Sequence, residues 1–330
     1  MKHHLTAEEI ARIRKRPELY VGSCDIRGIY RLLFGLVKEI ISASQKTGFV
    51  LEIQIDEGDA LQIACDFSFR ASESLTRYTM EELSGGFELA EGRNCCRLRF
   101  KPDRKVFSYE SIAYPHLYSR LTELAQLNKN MTVLLADSEN SNLIRFPRGL
   151  ETMLMEGVDQ FGLRMDDKPL NLWFSKEDVE VEVSMIYANA QDVALSFVNN
   201  DKSRDGGSHV EGLYNGLLNA FREYVKNVES YRIKDHPLFH LVEKVAGEPY
   251  RFDKNPKILR EDVTKDLNFV ISLTTNTPHY GCRELKDEKV YAIVEEGISE
   301  NVLGILRSDP LFFYLSRVIQ KAEIRKILSD

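Results

Sequence analysis

No apolar run in the 330 residues approaches the ~20 needed to span a bilayer, so a membrane-spanning protein is excluded. Met1-Lys2-His3-His4-Leu5 leads into a charged stretch rather than an apolar core, and no secretory leader is expected. Cysteine is scarce: Cys24, Cys65, Cys95, Cys96 and Cys282 form an odd set without CxxC spacing, which suits reduced thiols in a cytoplasm better than a disulfide framework or a zinc site. Positive charge is outnumbered, 44 basic against 51 acidic residues, so no global field would hold the chain on DNA or an anionic membrane. Internal repeats and low-complexity segments are absent too. What is present, 43% hydrophobic and 29% charged residues, is enough for two globular domains with their own cores.

Thr6-Ala7-Glu8-Glu9 has the form of a capping box opening a helix to Arg16, stopped by Pro17. Cys24-Asp25 offers the next N-cap. Ile29, Leu32, Leu33, Leu36, Val37, Ile40 and Ile41 then repeat at helical spacing to about Ser44. Residues 49–55 and 60–67 read as two strands around the turn Asp56-Glu57-Gly58-Asp59, and 68–92 as a polar stretch. Further strands are expected at 95–100, 131–136, 142–146, 170–174, 179–187, 192–198 and 268–274, with helices at 115–127, 209–228, 290–305 and 310–328. A short helix is expected within 229–256. Strands and helices that do not alternate strictly argue for α+β domains rather than a doubly wound parallel sheet.

Three stretches match one family in the same order. Ile13-Arg14-Lys15-Arg16-Pro17-Glu18-Leu19-Tyr20-Val21-Gly22 resembles the RKRPxMYIG motif that opens the ATPase region of gyrase B, the ATPase component of bacterial type II DNA topoisomerase. Ser196-Phe197-Val198-Asn199-Asn200 with Arg204-Asp205-Gly206-Gly207-Ser208-His209-Val210-Glu211-Gly212 resembles its FTNN…RDGGTHxxGF signature. Asp262 to Leu267 with Val270-Ile271-Ser272-Leu273 resembles its DxREGL…VVSV segment. The resemblance implies a truncated GHKL (Bergerat) α/β sandwich over residues 1–146. A gyrase B-type transducer domain, built on a βαβ unit with left-handed crossover, would then cover 147–330.

Tested residue by residue, the ATP site that the resemblance implies is degenerate. Hydrolysis needs a glutamate to deprotonate water and an asparagine one turn on to hold Mg²⁺; Gly35 and Glu39 stand in those places. Glu39 then reads as a solvated residue or an ion-pair partner. The adenine aspartate corresponds to Asp66, but the glycines of its DxGxG turn are replaced by Phe67 and Phe69. The phosphate-cradling lid is reduced to Ser84-Gly85-Gly86. Cys95-Cys96 replaces the Gly-Thr pair, and the nucleotide-sensing Gln-Thr-Lys loop falls on Arg283-Glu284-Leu285 with Lys286 beside it. The two phenylalanines should close the pocket, with Phe67 the inward ring because it shares a strand face with Cys65.

Other constellations have plainer readings. Asp205, Ser208 and His209 are too close in sequence to converge as a triad, and Ser208 is expected to cap a helix. His236 and His240 sit four apart with Glu243 following, but Pro237 lies between them and the HExxH glutamate is missing. Of three basic clusters (Arg14, Lys15, Arg16; Arg97, Arg99, Lys101, Arg104, Lys105; Arg317, Lys321, Arg325, Lys326), the middle one is best suited to an anion. The expectation is a nucleotide-independent pseudo-ATPase that binds or scaffolds another protein, with no catalytic residue, no cofactor, no metal and no membrane contact. Its oligomeric state is left open. One alternative is a divergent ATP-dependent topoisomerase component, using ATP and Mg²⁺ and completed in trans by a separate cleavage chain. A second is a DNA-binding module whose contacts are local.

Overall fold

In a computed structural model the described residues are 7–44, 47–71, 74–158, 168–188, 193–227, 257–276, 278, 285–308, 314, 317–319, 321–322 and 324–325. The chain divides into two compact units, Met1–Gly149 and Leu150–Asp330. None of the described helices is long and apolar enough to cross a membrane.

The first unit opens with α1 (Ala7–Lys15), and Pro17 both ends it and starts the single turn α2 (Glu18–Val21). Asp25 then caps α3 (Ile26–Ala43) by accepting from the Arg27 N–H, and the apolar stripe read from the sequence is its buried face. The unit continues with β1 (Phe49–Ile55), β2 (Leu61–Cys65), α4 (Leu75–Glu82), β3 (Ser84–Glu91), β4 (Cys96–Pro102), α5 (Tyr114–Leu127), β5 (Met131–Ala136) and β6 (Ser141–Ile144). The strands form one mixed sheet in the order β3-β4-β2-β1-β5-β6, with β1 antiparallel to β2 and parallel to β5. Alternation decides its faces. Leu51, Ile53, Ile63, Leu98, Phe100, Val133 and Leu135 join the helices in one core, while Glu52, Gln54 and Arg97 point to solvent.

The second unit holds α6 (Leu150–Gly157), β7 (Leu170–Lys176), β8 (Val179–Tyr187), β9 (Ala194–Val198), β10 (Asp201–Lys202), α7 (Ser208–Asn227), α8 (Arg260–Thr264), β11 (Leu267–Thr274) and α9 (Glu288–Arg307). Its sheet runs β10-β9-β11-β8-β7, and β9 and β11 are parallel neighbours, with α7 in the connection between them. Helix α7 packs along α9 at close range because it carries glycine there. A Cβ on Gly216 would stand 2.7 Å from the Glu295 carbonyl oxygen and from Ile298 Cβ.

The polar reading of 68–92 is corrected: α4 and β3 lie in it, and α2, α6, α8 and β10 were not expected from the sequence either. Helix α4 turns Arg77, Thr79 and Met80 inward, so two of its three buried side chains are polar and no apolar period announces it. The expected Thr6 cap, the short helix within 229–256 and His236, His240 and Glu243 lie outside the described residues, as do Arg283 and Glu284.

Candidate functional site

The site implied by the motifs lies on one wall of α3. Gly35 and Glu39 are one turn apart on it, and α4 comes down over both. A Cβ on Gly35 would meet the Thr76 side chain at 3.5 Å, and the Thr76 hydroxyl donates to Glu39 Oε1. Ser74 sets the start of α4 by accepting from the Arg77 N–H at 3.0 Å, which brings Thr76 to that wall. Glu39 is half-buried, and the expectation of a solvated residue or an ion-pair partner gives way to this bond with a neutral hydroxyl.

Asp66 is used by the sheet. Its carboxylate accepts from the Val50 N–H at 2.8 Å while its own N–H donates to the Val50 carbonyl at 3.3 Å, extending the β1–β2 ladder past Cys65. The inward ring is Phe69, not Phe67. Strand β2 ends at Cys65 and the chain bends at Asp66-Phe67, so strand alternation no longer governs which ring points in. Phe67 packs edge-on against Phe49 with centroids 5.5 Å apart and stays partly exposed. Phe69 is 8% exposed and sits with Ala71 among Leu36, Ile40, Ile63 and Leu98, where a void of about 10 Å³ is left. A groove of about 440 Å³ does border Asp66. Glu52, Ala64 and Arg97 line it from the opposite, solvent-facing side of the sheet, and Glu39 is not among its walls.

Gly85 and Gly86 open β3 at a bulge against β4, held by Ser84, whose hydroxyl donates to the Lys101 carbonyl at 2.9 Å and accepts from the Gly86 N–H at 2.9 Å. Neither glycine has the positive φ of an anion-cradling loop. Cys96 begins β4 directly opposite Cys65, and burial pushes its thiol up to about 12. In the second unit Lys286 is exposed and follows Leu285.

The glycine motif of the second unit is a close backbone contact. Gly207 has φ +127°, and a Cβ there would stand 2.4 Å from the Leu285 carbonyl oxygen. Ser208 does not act as the expected helix cap. Its hydroxyl donates to the Leu285 carbonyl at 3.1 Å and accepts from the Asp287 N–H at 2.8 Å, tying the start of α7 to the segment before α9. His209, expected only to enter a helix, is fully buried, and among the described residues neither ring nitrogen has a hydrogen-bond partner. Burial alone drives it down to about 4.

Several of the basic residues expected to suit an anion are engaged in ion pairs. Arg14 pairs with Asp103, Arg104 with Asp59 at 2.8 Å, and Arg99 lies 3.7 Å from both Asp56 and Glu88. Arg325 holds the buried Asp262 at 2.7 Å, and Lys321 holds Asp266 at 3.1 Å. Among the described residues no group of three His, Cys, Asp or Glu is arranged to hold a metal.

The family model for DNA gyrase B matches residues 149–326. The gyrase B protein of Halalkalibacterium halodurans is 22% identical over 341 aligned residues, covering 83% of this chain and 50% of that protein. The B-type subunit of DNA topoisomerase 4 from Streptococcus pneumoniae serotype 4 is 33% identical over 149 residues, 43% of this chain and 22% of that protein. The chain thus spans about half the length, or less, of these curated relatives. Among solved structures, the 43K ATPase domain of Thermus thermophilus gyrase B, in complex with an aminocoumarin, superposes with a TM-score of 0.78 at 16% identity, over 97% of this chain and 96% of that one. The topoisomerase IV ATP-binding domain of Francisella tularensis gives 0.68 at 17% identity, over 96% and 97%. These likenesses establish the fold: α+β, with a mixed sheet in each unit, the fold of the gyrase B ATPase region.

Proposed function

The chain belongs to the DNA gyrase B family, and from that premise we propose that it is a nucleotide-independent member, a pseudo-ATPase that acts by binding or scaffolding another protein. The observation that carries the reading is the filled wall of α3. Phe69 occupies the space between α3 and the sheet down to about 10 Å³, whereas small-ligand pockets run to several hundred Å³. The residues there do not fit ATP and Mg²⁺. Gly35 has no carboxylate to activate water, Glu39 accepts from Thr76, and Asp66 accepts from the Val50 N–H through one oxygen as part of the sheet. Each of these groups would have to stabilise charge that develops during hydrolysis, so without them little beyond background rate is expected.

That a partner is a protein is favoured by the names of the relatives, which are subunits, and by the engagement of Arg14, Arg99 and Arg104 in ion pairs, which leaves less charge for a DNA backbone. Isothermal titration with a non-hydrolysable ATP analogue and Mg²⁺ tests the reading. No heat of binding is expected, and a dissociation constant tighter than about 1 mM, roughly −4 kcal/mol, would refute it. The rival, an active ATPase completed in trans by a cleavage chain, requires hydrolysis that collapses in Glu39→Gln.

A further inference from the structure

Cys65 closes β2, Cys96 opens β4, and the two are directly paired in the antiparallel ladder. Both are 4% exposed and both are free thiols. Antiparallel partners hold their Cα atoms about 4.5–5.5 Å apart with side chains on the same face, inside the roughly 4.4–6.8 Å that a disulfide spans. Between α3 and the sheet both cysteines border the 10 Å³ void beside Phe69, which gives their sulfurs room to turn toward one another. Both also border the 440 Å³ groove, but from the opposite face of the sheet, so a small reagent reaches the sulfurs on local opening of the strand ends. Cys95 is exposed and outside the ladder, in the turn closed by the Gly92 N–H donating to its carbonyl at 2.8 Å.

The geometry points to Cys65 and Cys96 as an oxidisable pair, a modification site at which a low-molecular-weight disulfide of the glutathione type turns two thiols into one cross-strand disulfide. The thiolate of one cysteine attacks a sulfur of the small disulfide, whose S–S bond breaks and releases one small thiolate. The thiolate of the second cysteine then attacks the protein sulfur of the mixed disulfide and expels the other. Two protein thiols lose two electrons and two protons, and the small disulfide becomes two thiols. Burial raises both thiols, Cys96 to about 12, which lowers the thiolate fraction and slows the exchange. The bridge closes a loop over residues 66–95, which carries Phe69, α4 with its Thr76 bond to Glu39, and β3. Oxidation would therefore lock the segment that fills the wall of α3.

The test incubates the full chain with excess oxidised glutathione, quenches with acid, unfolds, alkylates the remaining thiols and maps peptides by mass spectrometry without reduction. A Cys65–Cys96 cross-linked peptide is expected, absent after dithiothreitol treatment, in a monomer lighter than the reduced chain by two hydrogens. Cys95→Ser should retain the cross-link and Cys96→Val should lose it. Glutathione adducts on Cys95 or Cys24 with Cys65 and Cys96 still alkylated, or a bridge from either residue to another cysteine, would overturn the assignment. The wild-type peptide map decides even where a variant fails to fold.

Discussion

His209 should make the second unit acid-sensitive. The ring is fully buried near the start of α7, has no hydrogen-bond partner at either nitrogen among the described residues, and is pushed down to about 4 from the usual 6.5 because burial disfavours its charged form. The unfolded chain therefore takes up a proton below about pH 6.5 that the folded chain refuses until about pH 4. Stability is unaffected by this group above pH 6.5 and falls through that window. Linkage gives a loss of about 2 kcal/mol between pH 7.5 and pH 5. His209→Leu, close in volume, removes the titration along with a buried donor and acceptor that each cost about 1–3 kcal/mol when unpaired. The variant should match or exceed wild type at pH 7.5, and its advantage should widen by about 2 kcal/mol at pH 5. Trp173, the single tryptophan, lies in β7 of the same unit with its indole N–H on Glu180 at 2.8 Å, so its fluorescence in urea titrations reports the unit concerned. Carboxylates titrate alike in both proteins and cancel in the difference. Equal acid losses in variant and wild type would refute the reasoning, as would a Leu variant weaker by more than about 1 kcal/mol at both pH values.

Phe69→Ala should cost about 3–5 kcal/mol in equilibrium unfolding of the first unit, and Phe67→Ala less than half as much, because only Phe69 leaves a cavity against α3; the reverse order would put the wrong ring inside. Gly216→Ala should destabilise the second unit by about 1–3 kcal/mol as its methyl meets the Glu295 carbonyl. Gly304→Ala, on α9 with nothing within 4 Å of the new Cβ, should stabilise it by about 0.5–1 kcal/mol, and thermal melts that fail to separate these two signs would contradict the packing described.

The elements legible in the sequence are those whose apolar period matches one structure. Helix α3 has an Asp25 cap and a clean stripe from Ile29 to Ile41, and β1 alternates from Phe49 to Ile55, so both end where the pattern does. Helix α4 has no such stripe, since Arg77 and Thr79 share its inner side with Met80. Arg77 is paid for locally, by an ion pair with Glu81 and a guanidinium 3.6 Å above the Tyr78 ring. A polar residue buried against partners on its own helix is indistinguishable, by period alone, from one in solvent. His209 is masked in another way: it reads as a polar helix start and is a core residue with no ring partner among the described residues.

The candidate site divides along a physical line. What chemistry is lacking depends on residue type at a position, and Gly35 lacks a carboxylate wherever the backbone goes. What fills the space depends on the path of the chain, and that path turns on where β2 ends. Had β2 continued past Cys65, alternation would have sent Phe67 inward and Phe69 with it, both on the face of Cys65. The bend at Asp66-Phe67 instead lets Asp66 seal the ladder on Val50, leaves Phe67 on Phe49, and delivers Phe69 and Ala71 under α3. The chain then passes to Ser74, which starts α4 and sets Thr76 on Glu39. Gly35 faces Thr76 across this wall: a Cβ there would reach ordinary van der Waals contact with the Thr76 side chain, at 3.5 Å, so a longer side chain would share its space with α4. On the reading proposed above, a carboxylate restored at position 35 alone would leave Phe69 in place between α3 and the sheet, so Gly35→Glu should not confer ATP binding in isothermal titration, and binding tighter than about 1 mM would refute that.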